Sequence, residues 1–459
     1  MKISQLFKKY WNFIISTLIA SLLIPLLSES WEKVLAILSI LLIWNILGFL
    51  FKDFLKSSLL ILFLILPFNI TYQLPYSFLG IQLAEPFVDG VIVNYLVPTL
   101  SILDIGILLL LLPLIFRGLI DLKWKGFSFL RAFSLFAIYL IVQSISKGSF
   151  LSLSNSFRLL LYVFTFYNLF KSIRNIINQK ILTSLLIGSI LLVLFQGVVA
   201  LLQFSGGTSL GLSLLGESQV VSGMKGSSFL TLNNQLFLRG YGTFPHPNVF
   251  GGWLIFNIFL GWFLFDNMNR KRDYSVLLMF LSSLILILTF SRISFLVCGV
   301  IWVPFIIKTF VNAKRIKNFA FVGLISERLT NLFTGGDSGW SDRVKLLKSS
   351  FQIIRDNLLM GVGLGNFVKS MGGNVPRGSN GILLLQPVHN IFLLLISEIG
   401  LIGFSLFGTL LYFFFKDKKW DLRFIMCLVS ILIIGMFDHY MVSLPQGLVI
   451  LLLLLISYH

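Results

Sequence analysis

The sequence predicts an all-α, polytopic integral membrane protein of about 12 transmembrane helices in a single domain, 1–459. Three observations predict it. Hydrophobic residues make up 57% of the chain and charged residues 12%, where a water-soluble domain carries roughly 25% charged residues. Mean hydropathy is +0.93. Apolar runs near the ~20 residues needed to cross ~30 Å of hydrocarbon recur along the whole length.

Taken in order, the runs fall at about 11–27, 34–51, 59–70, 101–120, 132–146, 159–170, 181–204, 248–265, 275–290, 293–310, 390–415, 424–437 and 446–458. The first has no small-residue cleavage site after it, so it reads as a retained span rather than a removed signal. Between the runs, "FKDFLKSS", "DLKWKGFSFLR", "KSIRNIINQK", "DNMNRKRDYS" and "FKDKKWDLR" are short and basic, which assigns them to the cytoplasmic side. They account for much of the +18 net charge, and no nucleic-acid partner is needed to explain it. Cys298 and Cys427 both lie inside apolar runs and imply neither a disulfide framework nor a thiolate metal site.

The opposite, extracytoplasmic side then owns 71–100, 147–158, 205–247 and a long stretch ending at 389, the later part of a long loop, 311–388, whose basic start "KTFVNAKRIKN" falls inside. Sites concentrate on loops held by a rigid scaffold. Within the long loop, "SDRVKLLKSSFQIIRDNLL" places Val344, Leu347, Phe351, Ile354 and Leu358 at helical spacing, an amphipathic helix over about 341–358 capped by Ser341. Its stripe is expected against the membrane surface or the top of the bundle. The alternation of sides asks for one more crossing between 310 and 389, where the apolar material is "FAFVGLI", 319–325. This is either a broken, protein-covered half-span, or 293–310 is not an ordinary crossing.

Several polar residues stand out on this frame. Arg239 precedes a span in "LFLRGYGTFPHPNVFGGW". Arg292 sits between two apolar runs in "LTFSRISFLV", where a guanidinium needs an anion or a wet cavity. His389, in "PVHNIFLLLISEIG", follows a proline and precedes Asn390, which is suited to hold an imidazole; imidazole titrates near neutrality, as a general base should. A histidine beside arginines suits removal of a hydroxyl proton while guanidinium groups stabilise a departing phosphate or pyrophosphate. His246, between two prolines, reads as a turn or lid residue. Asp438 and His439 either couple to each other or line the cavity. Metal binding needs a convergent ligand set, and four dispersed histidines give it little support. "GVGLGNF" neither follows a strand nor ends in the Lys-Ser/Thr of a phosphate loop, so it reads as a turn. Glu398 is expected as a packing partner, with Gly400 and Gly403 allowing close helix approach.

"RGYGTFPHPNVFGGWL", "LTFSRISFLV", "SDRVKLLKSSFQIIRDNLLMGVGLGNF" and "PVHNIFLLLISEIGLIGF", in this order, resemble the O-antigen ligase superfamily, which includes O-antigen polymerases and bacterial protein O-oligosaccharyltransferases. The resemblance covers 230–440, and "FDHYMVSLPQG" looks like the family's late periplasmic turn. It implies a multi-pass protein of the bacterial inner membrane, a glycosyltransferase with its site on the periplasmic face and no metal or other cofactor. A glycan would pass from a polyprenyl (undecaprenyl-type) pyrophosphate carrier to a hydroxyl of a glycan, lipid or protein. On matching positions, the resemblance makes His389 the base, Arg239 and Arg292 the pyrophosphate ligands, Arg343 a third cation and Asn390 the support of the histidine, with His246 on the substrate side. The stretch after residue 310 is shorter than the full span relatives carry there. The competing readings are a repeat-unit polymerase of the same family and a transporter of lipid-linked glycan. A transporter predicts inverted repeats and ionisable residues at the midplane, whereas no internal repeat is visible and the notable residues gather near one face.

Overall fold

The computed structural model describes residues 31–78, 80–120, 128–224, 226–232, 235–268, 270–310, 338–378, 381–416 and 420–456, together with 16, 17, 19 and 20. The expected first span, 11–27, therefore lies almost wholly outside the described residues, and the half-span at 319–325 lies entirely outside them.

Helices dominate: α1 (Trp31–Phe51), α2 (Phe54–Ile65), α3 (Ile102–Phe116), α4 (Phe129–Ser146), α5 (Phe150–Ile176), α6 (Gln179–Gly206), α7 (Pro247–Asn267), α8 (Arg272–Thr289), α9 (Arg292–Phe310), α10 (Ser338–Asp356), α11 (Phe367–Ser370), α12 (Ile391–Phe415), α13 (Leu422–Phe437), α14 (Tyr440–Ser443) and α15 (Pro445–Ile456). Among the described residues, seven of these are long and apolar enough to cross a membrane, and α2, α3, α13 and α15 are shorter apolar helices. The all-α, membrane-spanning fold class stands. Among the described residues, strands are confined to the loops, as four two-stranded antiparallel pairs. Within 71–101, β1 (Thr71–Gln73) pairs with β6 (Thr99–Ser101) around two small hairpins, and β7 (Phe229–Leu232) pairs with β8 (Gln235–Leu238).

Helix α7 is apolar all round, and such a helix belongs inside. Trp253, Trp262, Phe250 and Phe259 on it are fully buried, and α8, α9 and α15 pack around it. Its two ends define the two ends of the bundle. Asp266, near its C-terminus, pairs with Lys308 of α9 at 2.9 Å and with Arg423 of α13 at 3.1 Å. His246 caps its N-terminus, next to Arg292 at the start of α9 and Asp438 after the end of α13.

One expected loop is mostly helix. Residues 150–158, assigned by sequence to the outer connection 147–158, open α5, whose N-cap Ser149 accepts the amide of Ser152. The polar letters that hid this helix face the protein: Ser152 and Ser156 are buried, and Arg158 pairs with Asp104 of α3 at 2.9 Å while Tyr162 donates to the same carboxylate at 2.8 Å. Charges at such depth persist when they are paired and hydrogen-bonded.

The amphipathic helix forms as α10, but its orientation differs from a stripe packed on the bundle. Leu346, Ser350 and Ile353 face inward, while Val344, Leu347, Phe351 and Leu358 are exposed. The apolar stripe thus points away from the protein. Lys308 marks the end of α9 at the Asp266 end of the bundle, whereas Arg343, in the first turns of α10, acts electrostatically on Arg239 and His439 at the opposite end.

Helix α12 is broken. Gly400 adopts φ 63°, ψ −178° within it, and a Cβ there would lie 2.2 Å from the Leu359 carbonyl oxygen. The carbonyls freed by the break are taken up by neighbours: Ser397 by the amide of Val362, Glu398 by Gly363, and Ile399 by the Tyr139 hydroxyl at 2.6 Å. Non-helical backbone at membrane depth is tolerated when protein satisfies it in this way. The glycine-rich 361–365 segment is the clamp over this break, which is why its spacing mimics a phosphate loop without being one.

Candidate active site

Arg239 is held by the turn it opens. Gln203 of α6 accepts the amides of Tyr241 and Gly242 at 2.9 Å each, and its amide donates to the Gly242 carbonyl at 2.9 Å. Gln196, two turns earlier on α6, accepts the Thr243 amide at 2.9 Å and donates to the Thr243 hydroxyl at 2.8 Å. Gly242 sits at φ 60°, with Gln196 Oε1 only 2.4 Å from where a Cβ would be, so this turn requires glycine. Arg239 Nε then donates to the Thr289 carbonyl at 2.7 Å, in the turn that leads to Arg292, and its NH2 donates to Asn248 Oδ1 at 2.8 Å.

Asn248 relays this to the acid. Its Nδ2 donates to Asp438 Oδ2 at 2.7 Å, while the His439 amide donates to Asp438 Oδ1 at 2.8 Å. His389 Nδ1 lies 3.7 Å from Asp438 Oδ1, beyond hydrogen-bond length, and is buried without a hydrogen-bond partner among the described residues. The His389 and His439 rings are 5.2 Å apart, centre to centre. Nδ1 facing the carboxylate leaves Nε2 for a substrate.

The electrostatics follow from the crowding. Burial, with the repulsion of Arg343 and Arg292 added, pulls the Arg239 guanidinium down to about 10, against the pull of Tyr241 and Asp438. Burial and then Arg239 push His246 down to about 3, and burial holds His439 at about 4. Burial would raise the Asp438 carboxyl, but the imidazoles of His389, His439 and His246 outweigh it and hold the group well below the usual carboxylate range. Asp438 is thus an anion surrounded by donors and cations.

The structure brings His389, Arg239, Arg292 and Arg343 to one end of the bundle. It revises two sequence readings in detail. Asn390 does not reach the imidazole: its Oδ1 caps α12 by accepting the amides of Phe392 and Leu393 at 3.0 Å each, and its Nδ2 donates to the Met436 carbonyl at 3.2 Å. It fixes the backbone that carries His389. His246 has both ring nitrogens engaged within the protein, Nδ1 with the Asn248 amide at 3.1 Å and Nε2 with the Ser228 hydroxyl at 2.8 Å, so it pins the β7–β8 hairpin to α7. The sequence allows two readings of Asp438, and the one signal for its position among the histidines is "FDHY", a charged pair at the end of an apolar run.

The histidines are also less dispersed than the sequence suggested. His389, Asp438 and His439 each present one ligand atom within 4.8 Å of the others, and of the described side chains these three could hold a metal ion. Competing bonds weigh against it: His439 Nδ1 is 2.7 Å from the Ser443 hydroxyl, Asp438 accepts from Asn248, and the neighbouring guanidinium groups would repel a cation.

Residues 251–408 match the family model described as O-antigen ligase. That match supports membership of the O-antigen ligase superfamily. No curated protein matches the chain. The family's members are membrane enzymes of the ligase or polymerase type, and the matched stretch of this chain runs from α7 into α12 and contains Arg292, Arg343, His389 and Asn390. Arg239 and His246 precede it, and Asp438 and His439 follow it, yet all of them meet at the same end of this O-antigen ligase relative.

Proposed function

We propose that this protein transfers a glycan from a polyprenyl pyrophosphate carrier to an acceptor hydroxyl, at the external face of the bacterial inner membrane. His389 Nε2 takes the hydroxyl proton as the acceptor oxygen forms its bond to the anomeric carbon. The bond from that carbon to the pyrophosphate oxygen breaks, and polyprenyl pyrophosphate leaves with its charge met by Arg239, Arg292 and Arg343. The imidazolium that results is stabilised by Asp438, which Asn248 and the His439 amide hold in place. A pyrophosphate ester is an activated donor, so the chain has mainly to position two substrates and neutralise the leaving group. The polyprenyl tail stays in the bilayer, beside the apolar helices.

The observation that carries this reading is the buried Nδ1 of His389 turned to Asp438, at the end of the bundle where three arginines repel one another. A general base contributes roughly 100- to 10,000-fold. In vesicles supplied with a glycan-loaded carrier and acceptor, His389→Ala should lower transfer by that factor while leaving expression and thermal unfolding unchanged. Transfer at the wild-type rate would remove the base from the mechanism. Ligase and polymerase differ only in the acceptor, which the same assay identifies from its product.

A further inference from the structure

We infer that Tyr95 is a sugar-stacking platform of this site, holding the ring attached to the pyrophosphate against the catalytic cluster; the inference rests on the transferase reading above. Tyr95 sits in a single 3-10 turn, Asn94–Leu96, in the loop between α2 and α3. Both flanks are anchored. Val93 and Leu96 are buried in one apolar cluster with Leu346, one turn beyond Arg343, and Val388, which precedes His389, and Val442 of α14 packs against the same cluster. Three segments that carry site residues thus fix the backbone of this turn.

The Tyr95 side chain itself is spent on none of this packing. It is 52% exposed, and its hydroxyl has no hydrogen-bond partner among the described residues. It nonetheless stands beside the site, because Val93 and Leu96 on either side of it share their cluster with Val388, the neighbour of His389; desolvation of its partly covered phenol and, second, the Asp438 carboxylate raise that group above the ordinary range. A ring that is half-exposed, rigidly mounted and felt by Asp438 stands beside the catalytic cluster. The charged groups of that cluster suit a pyrophosphate and a hydroxyl, but a sugar also has an apolar C–H face, which an aromatic ring covers well while its polar edge stays wet.

The test uses the full-length protein in phosphatidylethanolamine–phosphatidylglycerol nanodiscs and two probes, undecaprenyl pyrophosphate and the same carrier bearing one N-acetylglucosamine. The wild type should bind the sugar-bearing carrier about tenfold more tightly than the bare one. Tyr95→Ala should bind both with the affinity the wild type has for the bare carrier, and Tyr95→Phe should keep the preference, because the ring does the work. Three results overturn the platform: no sugar preference in the wild type, a preference that survives in Tyr95→Ala, or its loss in Tyr95→Phe. A wild type that fails to bind even the bare carrier removes the transferase reading, and the platform with it. A misfolded variant is recognised because it loses the bare carrier too, and Tyr95→Trp then decides: it keeps the preference if stacking holds the sugar and lacks it otherwise.

Discussion

At one end of α7, Asp266 takes Lys308 at 2.9 Å and Arg423 at 3.1 Å, and at the same end of the bundle Asp53 takes Arg117 at 2.7 Å and Lys56 at 3.6 Å. At the other end, Arg239 bonds two neutral oxygens, those of Thr289 and Asn248, and shares its field with Arg292 and Arg343, against which Tyr241 and Asp438 pull. The residue types are the same and the arrangements are opposite. Where cations meet carboxylates, the charge is settled within the fold. Where guanidinium groups are gathered against their own repulsion, the fold tolerates a cost that an anion would relieve, and a pyrophosphate is an anion of suitable charge. This contrast separates structural ion pairs from a binding site more sharply than a count of charges does.

The contrast is tested most strongly by removing one of the crowded cations. Arg239→Ala should lower transfer by roughly 100- to 1,000-fold, the range seen when one preorganised stabiliser of developing charge is deleted, and should weaken binding of the bare carrier. An unchanged rate in the vesicle assay would mean that the crowding serves the fold and not a ligand.

A smaller effect concerns the protons at the same end. His246 and His439 are held at about 3 and about 4, well below the ~6.5 of a free imidazole. The unfolded chain therefore binds more protons than the folded one as pH falls below ~6.5, so stability declines on acidification and is recovered as pH rises through that window. Thermal unfolding of the reconstituted protein should track this, and His439→Gln, which cannot titrate, should flatten the decline between pH 6.5 and 4. An equally steep slope in the variant would place the proton uptake elsewhere.

Much of this was legible in the sequence, for identifiable reasons. Helices α6 to α9 and α12 appear within a few residues of their apolar runs, because a span must be apolar whatever it packs against. Helix α5 was cut short because Ser152, Asn155, Ser156 and Arg158 look like loop residues, and only the partner Asp104, on another helix, reveals them as its inner face. The arginines and His389 could be read as candidates because polar groups beside a lipid-facing run demand a reason. What no sequence pattern carries is the direction of a side chain. His246 and Asn390 stand in the right motifs, yet their polar atoms are used to cap helices and tie segments together. Asp438 gains its place through Asn248, 190 residues away. The break in α12 at Gly400 was equally hidden, since one glycine in an apolar run signals close packing as readily as a broken helix.

The smallest expected effect belongs to the settled end and completes the contrast. Arg117 is 41% exposed at its side chain and holds Asp53 at 2.7 Å, while Asp53 caps α2 through the amides of Leu55 and Lys56. An exposed pair of this kind contributes about 0–1 kcal/mol, screened further by salt. Arg117→Ala should therefore shift thermal unfolding slightly, leave the cap intact because Asp53 keeps its backbone donors, and leave transfer and carrier affinity at wild-type values. Arg239→Ala and Arg117→Ala delete the same guanidinium from one bundle, so the ratio of their transfer rates measures how far charge at the site end is reserved for a ligand. If both variants lose transfer alike, the two ends are not functionally distinct, and the division drawn from their ion pairs fails.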